Sequence, residues 1–145
     1  MSNLDYHHSM GLVAVAMMRS SKYCQYPIAS LALWIEPAVL LKQIHFFSDA
    51  GGNLVGYMTW AFLAEDTERR LTHDPEVLFH LSEWNEGERL WIMDFVLLDG
   101  KFRSFLTEAF ALFPKATVAK SLRRYDDGRV RKITTWCRDN AHDNR

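Results

Sequence analysis

Residues Arg89-Leu90-Trp91-Ile92-Met93-Asp94-Phe95-Val96-Leu97-Leu98 form an almost continuous apolar run. A strand with one wet face would alternate; a run without alternation is that of a strand covered on both faces, inside a sheet that carries packed layers. The segment that follows, residues 102–113, changes period. Phe102, Phe105, Leu106, Ala109, Phe110 and Phe113 fall on one helical face. Two further runs, residues 116–125 and 129–136, flank Asp126-Asp127-Gly128 and predict a hairpin.

Upstream of the central run, residues 40–47 and 54–63 are joined by Asp49-Ala50-Gly51-Gly52-Asn53, a second hairpin signal, because glycine accepts the positive φ such loops need. Residues 64–71 and 75–82 predict short helical or irregular pieces. Ser9 is the expected cap of a first helix whose buried stripe holds Leu12, Val13, Ala16 and Met17 and which ends near Ser20-Ser21. A second short helix, residues 28–35, is expected to stop before Pro37. The order is α, α, β, β, short helices, β, α, β, β. A strand–helix–strand unit among hairpins indicates an α/β fold with a mixed β-sheet flanked by helices, the order of the acetyltransferase-like (GNAT) architecture.

The 145 residues fit a single domain, 1–145, and a chain of this length buries roughly 68–70% of its extended surface. At 48% hydrophobic and 24% charged residues, disorder and fibrous repeats are excluded. A net charge of −1 argues against a nucleic-acid partner. No run approaches the roughly 20 apolar residues of a transmembrane helix. Residues 11–18 resemble a signal-peptide core, but Asp5 rather than Lys or Arg precedes them and no small-residue cleavage site follows. The expectation is a buried first helix in a cytoplasmic protein with free thiols at Cys24 and Cys137.

Phosphate loops, nucleophile elbows, HExxH and CxxC motifs are missing, and so is the R-x-x-G-x-G/A pyrophosphate loop of CoA-dependent acetyltransferases. The histidines, including His142 near Cys137, offer no metal spacing, so neither metal nor bound cofactor is expected. Asp94 interrupts an otherwise apolar strand; a carboxylate there is either paired with hydrogen-bond donors or functional. Cys24, beside Ser20 and Ser21 between helical segments, reads either as a small buried hydrophobe or as an exposed nucleophile. Charge is segregated. Residues 65–99 carry ten acidic and three basic side chains; residues 114–138 carry eight basic and two acidic. These are either two solvated faces or a basic landing surface for an acidic partner.

The set of motifs resembles the RTX toxin-activating lysine acyltransferases, the HlyC-type family, and within it the RtxC-like branch found beside the large multifunctional (MARTX) toxins. The matching pieces are Ser20-Ser21 with Pro27, Glu36-Pro37-Ala38-Val39, and Tyr57-Met58-Thr59-Trp60-Ala61 with Glu68. Then follow Glu83-Trp84-Asn85-Glu86-Gly87-Glu88-Arg89-Leu90-Trp91-Ile92-Met93-Asp94-Phe95, Phe113-Pro114 and Arg129-Val130-Arg131-Lys132-Ile133. They occur in family order over about residues 10–136.

The resemblance implies a GNAT-like fold, a homodimer, and transfer of a fatty acyl chain from acyl carrier protein to internal lysines of an RTX protoxin. The donor would be the carrier's phosphopantetheine thioester, which accounts for the missing CoA loop; Arg123 is the carried-over docking position and Ser21 lies beside the reaction. The family pairs a catalytic histidine, in an S-S-x-x-H loop, with the aspartate of W-x-x-D. Asp94 matches the aspartate, but the histidine position holds Cys24. Lysine, with a pKa near 10.4, needs a base; imidazole near 6.5 suits that proton, whereas a thiol near 8.5 is a better nucleophile than base. Three readings stay open: an enzyme that forms an acyl-thioester on Cys24, a degenerate member that binds carrier or toxin without catalysis, and an unrelated α/β interaction domain.

Overall fold

The computed structural model describes residues 2–138; His142 lies outside them. The fold is mixed α/β. Five strands, β1 Ile44–Ser48, β2 Leu54–Leu63, β3 Arg89–Leu97, β4 Val118–Arg124 and β5 Val130–Cys137, form one sheet in the order β1-β2-β3-β4-β5. The central run is therefore the central strand. β1 and β2 pair antiparallel, β3 and β4 parallel through Trp91 and Lys120, and β4 and β5 antiparallel. Four α-helices accompany them: α1 Asn3–Arg19, α2 Glu36–Leu40, α3 Glu65–His73 and α4 Phe102–Ala111. This mixed sheet with helices agrees with the expected class and is compatible with the acetyltransferase-like architecture. The chain divides into two compact units, residues 1–59 with 94–102 and residues 60–93 with 103–145.

In the first unit, α1 begins at Ser2 rather than Ser9. The Ser2 hydroxyl accepts from the Asp5 amide at 3.1 Å while the Asp5 carboxylate accepts from the Ser2 amide at 3.2 Å. This capping box satisfies two otherwise orphaned donors, so the helix forms earlier than its apolar stripe suggests. Only one face of α1 is buried, through Val13, Ala16 and Met17. With Ile35, Val39, Tyr57 and Val96 these residues make the unit's core.

Pro37 also departs from expectation. The chain winds on through it: residues Leu31–Ile35 widen into a π-helical turn, closed by the Glu36 amide on the Leu31 carbonyl, and Pro37 sits in the first turn of α2. Proline fits there because its missing N–H would have had no helical partner. The first hairpin is as expected, with the Asp49 carboxylate accepting from the amides of Gly51 and Asn53, both at 2.9 Å, and Gly52 at φ 79°.

The second unit packs around Trp84 and Trp91, both essentially fully buried. Helix α4 buries Phe105, Ala109 and Phe110 but ends at Ala111; Phe113 follows it and meets the rings of Trp60 and Phe62 edge-on. The second hairpin turns at Gly128, φ 87°. There the Arg124 guanidinium donates to the carbonyls of Gly128 and Leu71, at 2.7 and 2.5 Å.

Candidate active site

Helix α1 ends on Ser20, whose backbone turns extended (φ −85°, ψ 126°). Its hydroxyl then accepts from the Tyr23 amide at 3.3 Å and its carbonyl from the Cys24 amide at 3.0 Å. The serine thus folds residues 20–25 into a tight turn, as hydroxyl residues do when they compete for nearby backbone donors. That turn points successive side chains differently. Tyr23 is half-buried, whereas Cys24 is exposed and its thiol donates to the Ser21 carbonyl at 3.5 Å.

Asp94, in β3, is the carboxylate into which the site converges. The hydroxyl of Tyr57, a fully buried side chain of β2, donates to its Oδ2 at 3.0 Å. The Tyr23 phenol donates to the same carboxyl, the Phe95 backbone contributes a further bond, and the Lys22 charge adds attraction. Burial opposes all of these and wins: the Asp94 carboxyl is held above the ordinary carboxylate pKa. The two phenols are pushed well upward in turn, by burial first and by the Asp94 charge second, and so stay protonated donors.

Of the two sequence readings of Asp94, the structure shows the pairing: the carboxyl is held by phenol donors, and burial raises its pKa. A carboxyl with raised pKa among fixed donors can take a proton near neutrality better than an ordinary one. The first unit holds Ser21, Cys24 and Asp94, but the side chain of the turn that reaches the carboxyl is Tyr23. Sequence reasoning does not single out Tyr23 or Tyr57, the two phenols that hold Asp94. The available signal was Tyr57, a phenol inside an apolar strand, since a buried hydroxyl requires a partner.

Arg123 belongs to the second unit, exposed on β4 directly opposite Lys132. Like charges facing across a ladder repel, so this pair favours an anion laid over it. Lys120 and Arg138 of the basic segment are committed elsewhere. Lys120 lies 3.6 Å from Glu68, and the Arg138 guanidinium donates to the carbonyls of Phe110, Phe113 and Ala116. Glu68 is itself fixed by the Trp91 indole at 2.7 Å and by Arg89 at 3.4 Å, beside a groove of about 640 Å³ also lined by Phe62, Lys115 and Val118. Among the described residues no helix is long and apolar enough to cross a membrane.

Comparison with known proteins places these features in a family. The chain is 25% identical over 143 residues to the leukotoxin-activating lysine-acyltransferase LktC of Mannheimia haemolytica serotype A1, covering 91% of this chain and 84% of that protein. It is 25% identical over 93 residues to the protein-lysine myristoyltransferase RtxC of Kingella kingae, covering 64% of this chain and 54% of that protein. The model of the RTX toxin acyltransferase family matches residues 2–137, both hairpins and the Asp94 strand included, and the chain belongs to that family.

Proposed function

We propose that this protein is a protein-lysine acyltransferase that activates an RTX protoxin in the cytoplasm, taking a fatty acyl chain from acyl carrier protein. Family membership supports the reaction class, and the single observation that carries the assignment is Asp94, held by Tyr23 and Tyr57 with its pKa raised. Asp94 acts as the base. It accepts a proton from the attacking lysine, whose nitrogen forms the amide while a thiol leaves.

Cys24 supplies the intermediate station. Its sulfur attacks the carrier's phosphopantetheine thioester, the carrier thiol departs with the proton, and the lysine amine then displaces Cys24 from the resulting acyl-thioester. The two thioesters are close in energy, so the first step has no thermodynamic obstacle. Arg123 and Lys132 orient the acidic carrier, consistent with their exposure and mutual repulsion. The protein works as a homodimer.

A second reading has an observation of its own. The Cys24 thiol is engaged with the Ser21 carbonyl, and Tyr23 takes the contact with Asp94. On this reading the family's histidine has been lost together with catalysis, and the protein only binds carrier or toxin. Intact-mass analysis after mixing with acyl-loaded carrier separates the two. The enzymatic reading expects a hydroxylamine-labile acyl adduct that Cys24→Ala eliminates, together with lysine acylation of a toxin fragment. Toxin left unmodified by soluble wild-type protein, with carrier binding intact, establishes the second.

A further inference from the structure

The sheet ends in an open edge. β5 pairs with β4 on one side, and among the described residues no strand follows it on the other. The register tells which groups face that edge. The Arg138 amide donates to the Thr117 carbonyl at 3.0 Å, and in the same register Thr134 stands opposite Ser121 and Lys132 opposite Arg123. Bonded and non-bonded pairs alternate along an antiparallel ladder, so Lys132 and Thr134 direct their backbone groups to β4. Arg131, Ile133 and Thr135 therefore turn N–H and C=O outward, and all three are exposed.

A long sheet edge is normally blunted by proline, a bulge, brevity or charge. β1, at the other end of the strand order, has five residues and a register shift between Phe47 and Ser48. β5 has eight residues without proline, and its register with β4 runs unbroken from Lys132 to Cys137. What guards it is charge. Arg131 and Lys132, with Arg123 beside them, form no ion pair among the described residues; the Arg131 guanidinium lies 6.0 Å from the Tyr125 ring centre. Between the outward residues Arg131 and Thr135 lies Ile133, 45% exposed. Charges of one sign oppose the identical edge of a second copy and admit a strand of the opposite sign.

We propose that the edge of β5 takes an extended, acidic segment of a partner protein as an added antiparallel strand, bonded to the backbone of Arg131, Ile133 and Thr135. Acidic residues of that segment stand opposite Arg131 and Lys132, on alternate faces, and an apolar residue stands opposite Ile133. The partner is the toxin substrate. An internal lysine is offered from the middle of a chain, so its flanks have to be held, and main-chain pairing holds them without fixing every side chain. That the partner is the toxin rests on the acyl-transfer reading above; the binding mode rests on the edge alone.

The test is an NMR titration of the full wild-type chain with the capped hexapeptide TTVEEV, whose residues meet Thr135 back to Val130 when antiparallel. Binding that slows hydrogen exchange at the Arg131, Ile133 and Thr135 amides supports the proposal. N-methylation of the peptide at its first, third and fifth residues, whose amides face β5, should weaken binding about tenfold. The same modification at the second, fourth and sixth should leave it intact. Equal binding of both methylated forms, equal binding of TTVKKV, or no binding of TTVEEV overturns the proposal, as does slow exchange of the three amides in the free protein. Ile133→Pro removes one outward N–H and leaves the β4 ladder whole. It should raise the KM for a toxin fragment several-fold without changing acyl loading of Cys24 by the carrier; an unchanged KM in the folded variant rejects the edge as the toxin's site. Wild-type protein that binds TTVEEV in this register but neither loads nor transfers an acyl chain overturns the acyl-transfer reading and supports the edge.

Discussion

At Asp94 the conflict between burial and hydrogen bonding has a measurable sign. The folded protein holds the carboxyl proton to higher pH than the unfolded chain does, since burial outweighs the Tyr23, Tyr57 and Lys22 contributions. The favourable linkage is fully present below the unfolded pKa, about 3.9, and is lost as pH rises through the folded value. Asp94→Asn should therefore melt higher than wild type at pH 7, a difference that closes on acidification toward pH 4 in parallel thermal scans. Tyr57→Phe acts oppositely on the carboxylate. It removes the 3.0 Å bond to the charged form, so the Asp94 pKa rises further and the acid limb of the pH–rate profile moves to higher pH. The lost charge-assisted bond costs about 1.5–3 kcal/mol in a urea melt near neutrality.

Among the elements, β2 and β3 position that carboxyl because they approach without a side chain between them at Gly56, where an added Cβ would overlap the Val96 carbonyl oxygen. Gly56→Ala forces the strands apart one residue from Tyr57. It should cost about 1–3 kcal/mol in denaturant titration, with transfer activity falling alongside. Elements of this kind were largely legible. The Arg89–Leu97 strand announced itself by apolar residues on both faces, and both hairpins by their glycine turns. The start of α1 is not marked by the apolar stripe, because the Ser2–Asp5 capping box precedes that stripe. The passage through Pro37 depends on a π-turn, which has no periodic signature. Tyr23 was invisible for another reason: it lies in a short polar turn, and only the tertiary fold brings its phenol to Asp94. Asp94 itself was readable, since a carboxylate in a greasy strand is anomalous wherever it occurs.

Across the molecule, the cations of the basic segment divide into two groups. Lys120, Arg124 and Arg138 are tied to Glu68 or to backbone carbonyls, whereas Arg123, Arg131 and Lys132 stay exposed on the second hairpin. Arg123→Glu/Lys132→Glu should raise the KM for acyl carrier protein several-fold, leave kcat unchanged and flatten the salt dependence of the rate, because exposed charges act on encounter more than on chemistry. In the proposed function the decisive group is the carboxyl in β3. Its most direct test is the intact mass of a protoxin fragment co-expressed with wild-type protein or with Asp94→Asn. We expect one or more acyl chains on lysine with the wild type and an unmodified fragment with the folded, soluble variant; acylation by Asp94→Asn to the wild-type extent would contradict the assignment.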